Sequence, residues 1–179
     1  MNEAISIRDS LDADIAAIQA IYAHHVTHGL GSFEEVPPTV ETMAERRAAV
    51  RAQGLPYLVA TQNGEILGYA YAGPFRPRPA YRYSLEDSIY VAPAAVGRGI
   101  GRRLLEALLA RAEAWGARQM VAVIGDAANH GSICLHAALG FRMVGVYEAI
   151  GYKHGRWVDS VMMQRALGRG AEAAPKEKT

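Results

Sequence analysis

The stretch "SIYVAPAAVGRGIGRRLLEALLARAEAWG", Ser88 to Gly116, constrains the chain more than any other. A β-rich run ends at Val91 and is stopped by Pro93. A short loop carries Gly97, Gly99 and Gly101. A long helix then buries Leu104, Leu105, Leu108, Leu109 and Ala112 along one stripe and stops at Gly116. A strand that feeds a helix through a glycine turn calls for a sheet with the helix packed against it, an α/β architecture. The first N–H groups of such a helix lack intrahelical acceptors, and with the helix dipole they attract an anion. Glycines in front of them let a pyrophosphate approach; they serve a plain tight turn equally well. Two nucleotide fingerprints fail at named residues. Arg102 stands where G-x-G-x-x-G needs its last glycine, and no Lys-Ser or Lys-Thr follows to complete a P-loop.

The rest of the chain fits the same class. Ala4–Ser10 alternates like a strand, and "DADIAAIQAIYAHHV" places Ile15, Ile18, Ile21, Tyr22 and His25 at helical spacing. A Gly- and Pro-marked loop, "GLGSFEEVPPT", precedes a second helix capped by Thr39 and closed by Gly54. Asn63-Gly64 is a type I′ turn signal between two β-rich runs. "PFRPRPAYRY" is a proline-broken loop before the strand "SLEDSIYV". After the glycine helix come a buried strand, "RQMVAVIG", and a helix from Asn129 to Gly140. Two final strands, "RMVGVYEAIGYKHG" and "RWVDSVMMQRAL", follow. The expectation is one domain over residues 1–167, a mixed, mostly antiparallel sheet of about seven strands with about four helices. Residues 168–179 are too poor in apolar side chains to pack and are expected to be disordered.

Composition excludes several classes. Nineteen basic against eighteen acidic residues give no broad nucleic-acid or membrane surface. No apolar run reaches the roughly 18 residues of a membrane span, and the N-terminus lacks a signal-peptide pattern. The single cysteine, Cys134, permits no disulfide framework and lies in an apolar stretch where core packing is expected. His24 and His28 share a helix face but lack an HExxH pattern or acidic partner, so no metal site is assigned. The expected location is the cytoplasm.

With its flanks, the glycine stretch resembles the acetyl-CoA motif of the GNAT superfamily of N-acetyltransferases. Val91, Val96, Gly99 and Gly101 fall on the motif frame. Val96 replaces the usual Gln or Arg, whose side chain a backbone-amide cradle does not need. "NHGSICLHAALGF" resembles the family's second motif. "LEDSIYV", "SFEEVPPT", "FRPRPAYR" and "GYKHGRWVDSVMMQ" resemble the phosphinothricin and methionine sulfone (sulfoximine) N-acetyltransferase branch, so that the similarity runs over roughly residues 4–167.

The resemblance implies the GNAT fold, acetyl-CoA as co-substrate, a small amino acid or analogue as acceptor, and a homodimer. It implies Glu86 as general base, with Asp87 turned to the opposite strand face by alternation. Backbone N–H groups of Ile89, Tyr90 and Val91 are expected to stabilise the thioester oxygen. The amides from Gly97 through Arg98, Gly99, Ile100 and Gly101 to Arg102 would cradle the pyrophosphate, with the Arg98 and Arg102 side chains adding charge. Asn129 is expected on the pantetheine arm, as a helix N-cap, or both. His136 stands where many family members have Tyr; it would either give a proton to the departing thiolate or orient cofactor and helix. Arg76 and Arg78, with Glu86, Asp87 and Ser88, are the expected acceptor contacts; Arg82 is a further candidate and Phe33 and Tyr83 are candidate walls. Trp157 and Asp159 are expected to fix strands or a dimer contact. Other readings are acetylation of a protein N-terminus or a polyamine, which an arginine-rich loop would repel, and a non-catalytic acyl-CoA sensor.

Overall fold

A computed structural model describes residues 4–175 of the 179. It contains β1 (Ser6–Asp9), α1 (Ile15–His28), α2 (Val40–Ala52), β2 (Tyr57–Gln62), β3 (Glu65–Pro74) and β4 (Ser84–Val91). These are followed by α3 (Ile100–Trp115), β5 (Gln119–Gly125), α4 (His130–Ala138), β6 (Arg142–Lys153) and β7 (Arg156–Ala166). The strands form one sheet in the order β1-β2-β3-β4-β5-β7-β6. Only the central β4–β5 pair is parallel, because α3 crosses over between those two strands.

Strand alternation divides the core. Leu58, Ala60, Ala70, Ala72 and Leu85 point to the α3 face, where Leu104, Leu105, Leu108, Leu109 and Ala112 are buried as the helical spacing predicts. Full burial of one such leucine contributes about 1.5–3 kcal/mol. Tyr57, Val59 and Tyr69 point to the opposite face, against Ile15, Ile18, Ile21, Tyr22 and Val26 of α1 and Met43 of α2. Local signals act where expected. Thr39 Oγ1 accepts the Thr42 N–H at 3.2 Å. Asn63 and Gly64 both have positive φ, as a type I′ turn requires.

The structure departs from the sequence reading at three places. Asp12–Asp14 form a 3₁₀ turn rather than the first turn of α1, and the Asp14 carboxylate takes both Arg8 (2.6 and 2.9 Å) and the Leu11 N–H (2.7 Å). Cys134 is exposed, not in the core, because α4 is a short helix whose inner side is taken by His136. The first part of the tail makes ordered turns: Arg118 donates to the carbonyls of Gly170 (2.9 Å) and Ala173 (2.5 Å). Residues 176–179 of that tail lie outside the described residues.

Candidate active site

The parallel pairing of β4 with β5 lasts four residues, Ser84–Asp87 against Gln119–Ala122. Beyond it, Ser88–Val91 pair only with β3 and Val123–Gly125 only with β7. The two central strands therefore part, and a cleft of about 830 Å³ opens between them. Its lining runs from Glu86–Val91 on β4, across Val96, Gly97 and Gly99–Arg102, to Ala122–Gly125 and to Asn129, Ser132 and His136.

The direction of the β4 backbone follows from two bonds. The Ala92 N–H donates to Leu67 O and the Phe75 N–H to Ser84 O, so the even-numbered residues of β4 turn their peptide groups to β3. Ile89 and Val91 then turn their N–H groups into the cleft, where no β5 partner exists. Tyr90, expected with them, faces β3 instead. The Val91 carbonyl is engaged by His25 Nε2 at 2.8 Å. A carbonyl only accepts, so this nitrogen carries the proton. Burial lowers the His25 pKa, and its hydrogen bond to Val91 opposes that.

At the top of the cleft Gly97 and Gly99 are left-handed, with φ of +80° and +76°, and Gly99 caps α3. A Cβ on either would meet nothing within 4 Å. The amides of Ile100, Gly101 and Arg102 precede the first helical acceptor, Gly99 O, which takes the Arg103 N–H. Free helix amides behind open glycines fit a pyrophosphate. The two arginines are otherwise engaged: Arg98 donates to Gln62 Oε1, and Arg102 pairs with Glu106 at 2.8 Å. Asn129 caps α4, accepting the Ser132 N–H at 3.2 Å, and lines the cleft.

Glu86 and Asp87 diverge as alternation requires. Asp87 turns toward α4 and is 7% exposed; its Oδ2 lies 2.9 Å from Nε2 of His136, itself 4% exposed. The other ring nitrogen, Nδ1, faces Ser132 O at 2.7 Å. Both neighbours are acceptors, so both nitrogens donate and the ring is an imidazolium. Burial alone would lower the His136 pKa, but the hydrogen bond and charge of Asp87 and the Ser132 carbonyl raise it overall. No N–H remains to offer a ligand unless one of these bonds breaks. Oδ1 of Asp87 is buried without a partner among the described residues. Ser88, which shares a hydrogen bond with Tyr71, also lines the cleft.

Glu86 stays on the α1 side. Its pKa is raised, chiefly by burial and then by the charge of Asp87, with Arg76 opposing. It lines both the cleft and a smaller chamber of about 370 Å³ beside it. Phe33, Val123 and Ser160 share that boundary; Phe75, Arg76, Tyr147, Ile150 and Met162 complete the chamber. Arg76 stacks its guanidinium on Phe75, 5.1 Å from the ring centroid. Arg78 lines neither cavity and starts a short 3₁₀ turn. Arg82 lies over Tyr83. Asp159 accepts the Ala149 N–H at 2.8 Å, which pins a bulge in β6. Val123, Tyr147, Ile150, Ser160 and Met162 carry no sequence signal of their own. The bulge puts two of them at the chamber, and a bulge depends on pairing that the sequence does not display.

Among the described residues no cluster of His, Cys, Asp or Glu could hold a metal, and no helix is long and apolar enough to cross a membrane. Residues 18–141 match the model of the acetyltransferase (GNAT) family. The chain is 53% identical to a phosphinothricin N-acetyltransferase of Alcaligenes faecalis, over 97% of this chain and 88% of that one. It is 43% identical to an L-methionine sulfoximine/L-methionine sulfone acetyltransferase of Pseudomonas aeruginosa, over 90% of this chain and 94% of the other. A phosphinothricin acetyltransferase from Sinorhizobium meliloti, solved in complex with AcCoA, superposes with a TM-score of 0.94. The two are 47% identical, covering 97% of this chain and 94% of that chain. The open splay, the glycine-fronted helix terminus and these likenesses agree: the chain belongs to the acetyltransferase (GNAT) family and is an acetyl-CoA-dependent N-acetyltransferase.

Proposed function

We propose that this enzyme acetylates the α-amino group of a small amino acid of the phosphinothricin, methionine sulfone or methionine sulfoximine type, with Glu86 as the base. One observation carries the assignment: Glu86 is the only carboxylate lining both cavities, and no hydrogen bond within the described residues occupies it. The large cleft suits the acetyl donor, and the small chamber suits an acceptor. Mostly apolar walls with one cation, Arg76, match a small amino acid whose carboxylate meets the guanidinium.

The α-amino group of an amino acid titrates above neutral pH, so at neutral pH it is mostly protonated and cannot attack. A carboxylate raised by burial is a better proton acceptor than an ordinary one. Glu86 takes one ammonium proton and passes it to solvent, the nitrogen bonds to the thioester carbon, and the carbon–sulfur bond breaks. The second nitrogen proton goes to the departing sulfur, so coenzyme A leaves as the thiol. The Ile89 and Val91 N–H groups point where the thioester oxygen gains charge. Gly97 and Gly99 with the α3 amides, and Asn129 at α4, hold the donor. The bonds of His136 to Asp87 and Ser132 favour orientation of α4 over proton donation.

A cytoplasmic homodimer is part of the proposal. Strand β6 exposes Met143, Val144, Val146, Tyr147, Ile150 and Tyr152, and Trp157 of β7 packs edge-on to Tyr152 at 5.2 Å. An apolar surface of that extent marks a protein interface.

Glu86→Gln tests the mechanism. The expected result is a loss in kcat/KM of about 10²–10⁴-fold at neutral pH, with acetyl-CoA affinity kept by calorimetry. Near-normal turnover in that variant removes Glu86 as base.

A further inference from the structure

Phe33 is the partition between the donor cleft and the acceptor chamber, and its ring rests on two glycines. A Cβ built on Gly151 of β6 would lie 2.4, 2.8 and 3.0 Å from Cε2, Cδ2 and Cζ of Phe33. A Cβ on Gly125, at the end of β5, would lie 3.1 Å from Cε1 and 2.1 Å from Leu30 O. Neither glycine has a left-handed φ, so space and not backbone conformation demands the missing side chain. The residue before Phe33 is tied down twice. Lys153, 2% exposed, donates from Nζ to Ser32 O at 2.7 Å, and the Ser32 and Tyr22 hydroxyls share a hydrogen bond at 2.9 Å. The backbone at this point is therefore anchored to β6 and α1, and the ring is the part that can move.

We propose that Gly151 determines acceptor specificity without touching the acceptor: it seats the Phe33 ring and so sets the size of the chamber beside Glu86. This rests on the assignment of that chamber to the amino-acid acceptor. An added methyl at residue 151 must push the ring away by about 1 Å to reach ordinary contact distance. Backbone blocks the Gly125 side, so the ring swings into the cavities it now divides. Misplacement on that scale costs up to about 10²-fold in a positioned reaction. The acceptors that fill the chamber lose most, because the groups that hold the donor, the amides of α3 and Asn129 at α4, belong neither to the ring nor to the two glycines.

The test is Gly151→Ala, alone and combined with Phe33→Leu, assayed with an amino-acid series from alanine to methionine sulfone. The expected result in the single variant is a rise of about tenfold or more in KM for methionine sulfone, a smaller rise for short acceptors, and an unchanged KM for acetyl-CoA. Phe33→Leu, which removes the clashing ring, restores the long acceptors in the Gly151→Ala background. The proposal is overturned if Gly151→Ala leaves the acceptor series unchanged, if acetyl-CoA KM rises in parallel, or if Phe33→Leu gives no rescue. A crystal structure of Gly151→Ala supplies a reading independent of any substrate: a Phe33 ring in its original place refutes the seat. Wild-type protein inactive on every amino acid, with a displaced ring in that structure, refutes the acceptor assignment and with it the specificity role, leaving only the seat.

Discussion

Replacing Asp87 with Asn tests whether His136 is held as a buried imidazolium. The substitution keeps shape and removes one charge from a pair whose side chains are 5% and 2% exposed. Removing one partner of a buried pair costs about 3–5 kcal/mol. The lower figure applies here, because histidine can shed its proton and accept from the new amide. That escape makes the cost depend on pH. In the wild type the folded pKa of His136 lies above its unfolded value near 6.5. The pair's stabilisation is therefore complete below about pH 6.5 and is lost as pH rises through the folded pKa. In the variant, burial without a counter-charge drives the pKa down, so the histidine destabilises the fold as pH falls. The gap between the two proteins is expected to be about 3 kcal/mol near pH 6. It narrows with rising pH by at most about 1.4 kcal/mol per unit, the limit for one proton. Urea unfolding followed by circular dichroism from about pH 5.5 to 9, with unchanged m-values, measures it. A gap under about 1 kcal/mol at pH 6, or one that widens with pH, refutes the ion pair.

Arg76→Ala is expected to raise the KM for an amino-acid acceptor by about 10–100-fold with acetyl-CoA KM unchanged, whereas Arg78→Ala changes neither; equal effects in steady-state kinetics would contradict the chamber assignment. The homodimer predicts twice the chain mass by sedimentation, and the double change Tyr152→Ser and Trp157→Ser shifts it toward monomer; a monomeric wild type ends that reading.

Local signals gave much of the fold directly. The α3 stripe, the Asn63-Gly64 turn, the Thr39 cap and the succession of helices and strands along the chain are all carried by spacing or by residues that prefer one backbone conformation. What local pattern does not encode is how far two strands stay paired. β4 reads as one continuous strand, yet its partner leaves it after Asp87. The same limit explains Tyr90. Which peptide groups face the cleft depends on which neighbour β4 pairs with, and alternation settles that only once one bond, from Ala92 to Leu67, is known. Gly151 is a different case. An interior strand glycine signals close approach of another group, but the group that approaches, Phe33, lies far away in sequence on the α1–α2 loop.

The arginines show why charge alone is a weak guide to a site. Arg76, Arg78, Arg82, Arg98 and Arg102 are equivalent as sequence symbols, and each was a reasonable partner for an anionic group. Arg102 is matched by Glu106 one helical turn on, and Arg98 by Gln62. Arg82 turns back on Tyr83 and the Pro79 carbonyl. Arg76 alone among the three arginines of its loop reaches a cavity lined by Glu86. The glycine-fronted terminus of α3 needs no arginine to attract a pyrophosphate, since its amides and dipole already do so. An amino-acid carboxylate in an apolar chamber has no such helix end available. A cation is therefore far more consequential on the acceptor side, and Arg76 is the one the fold delivers there.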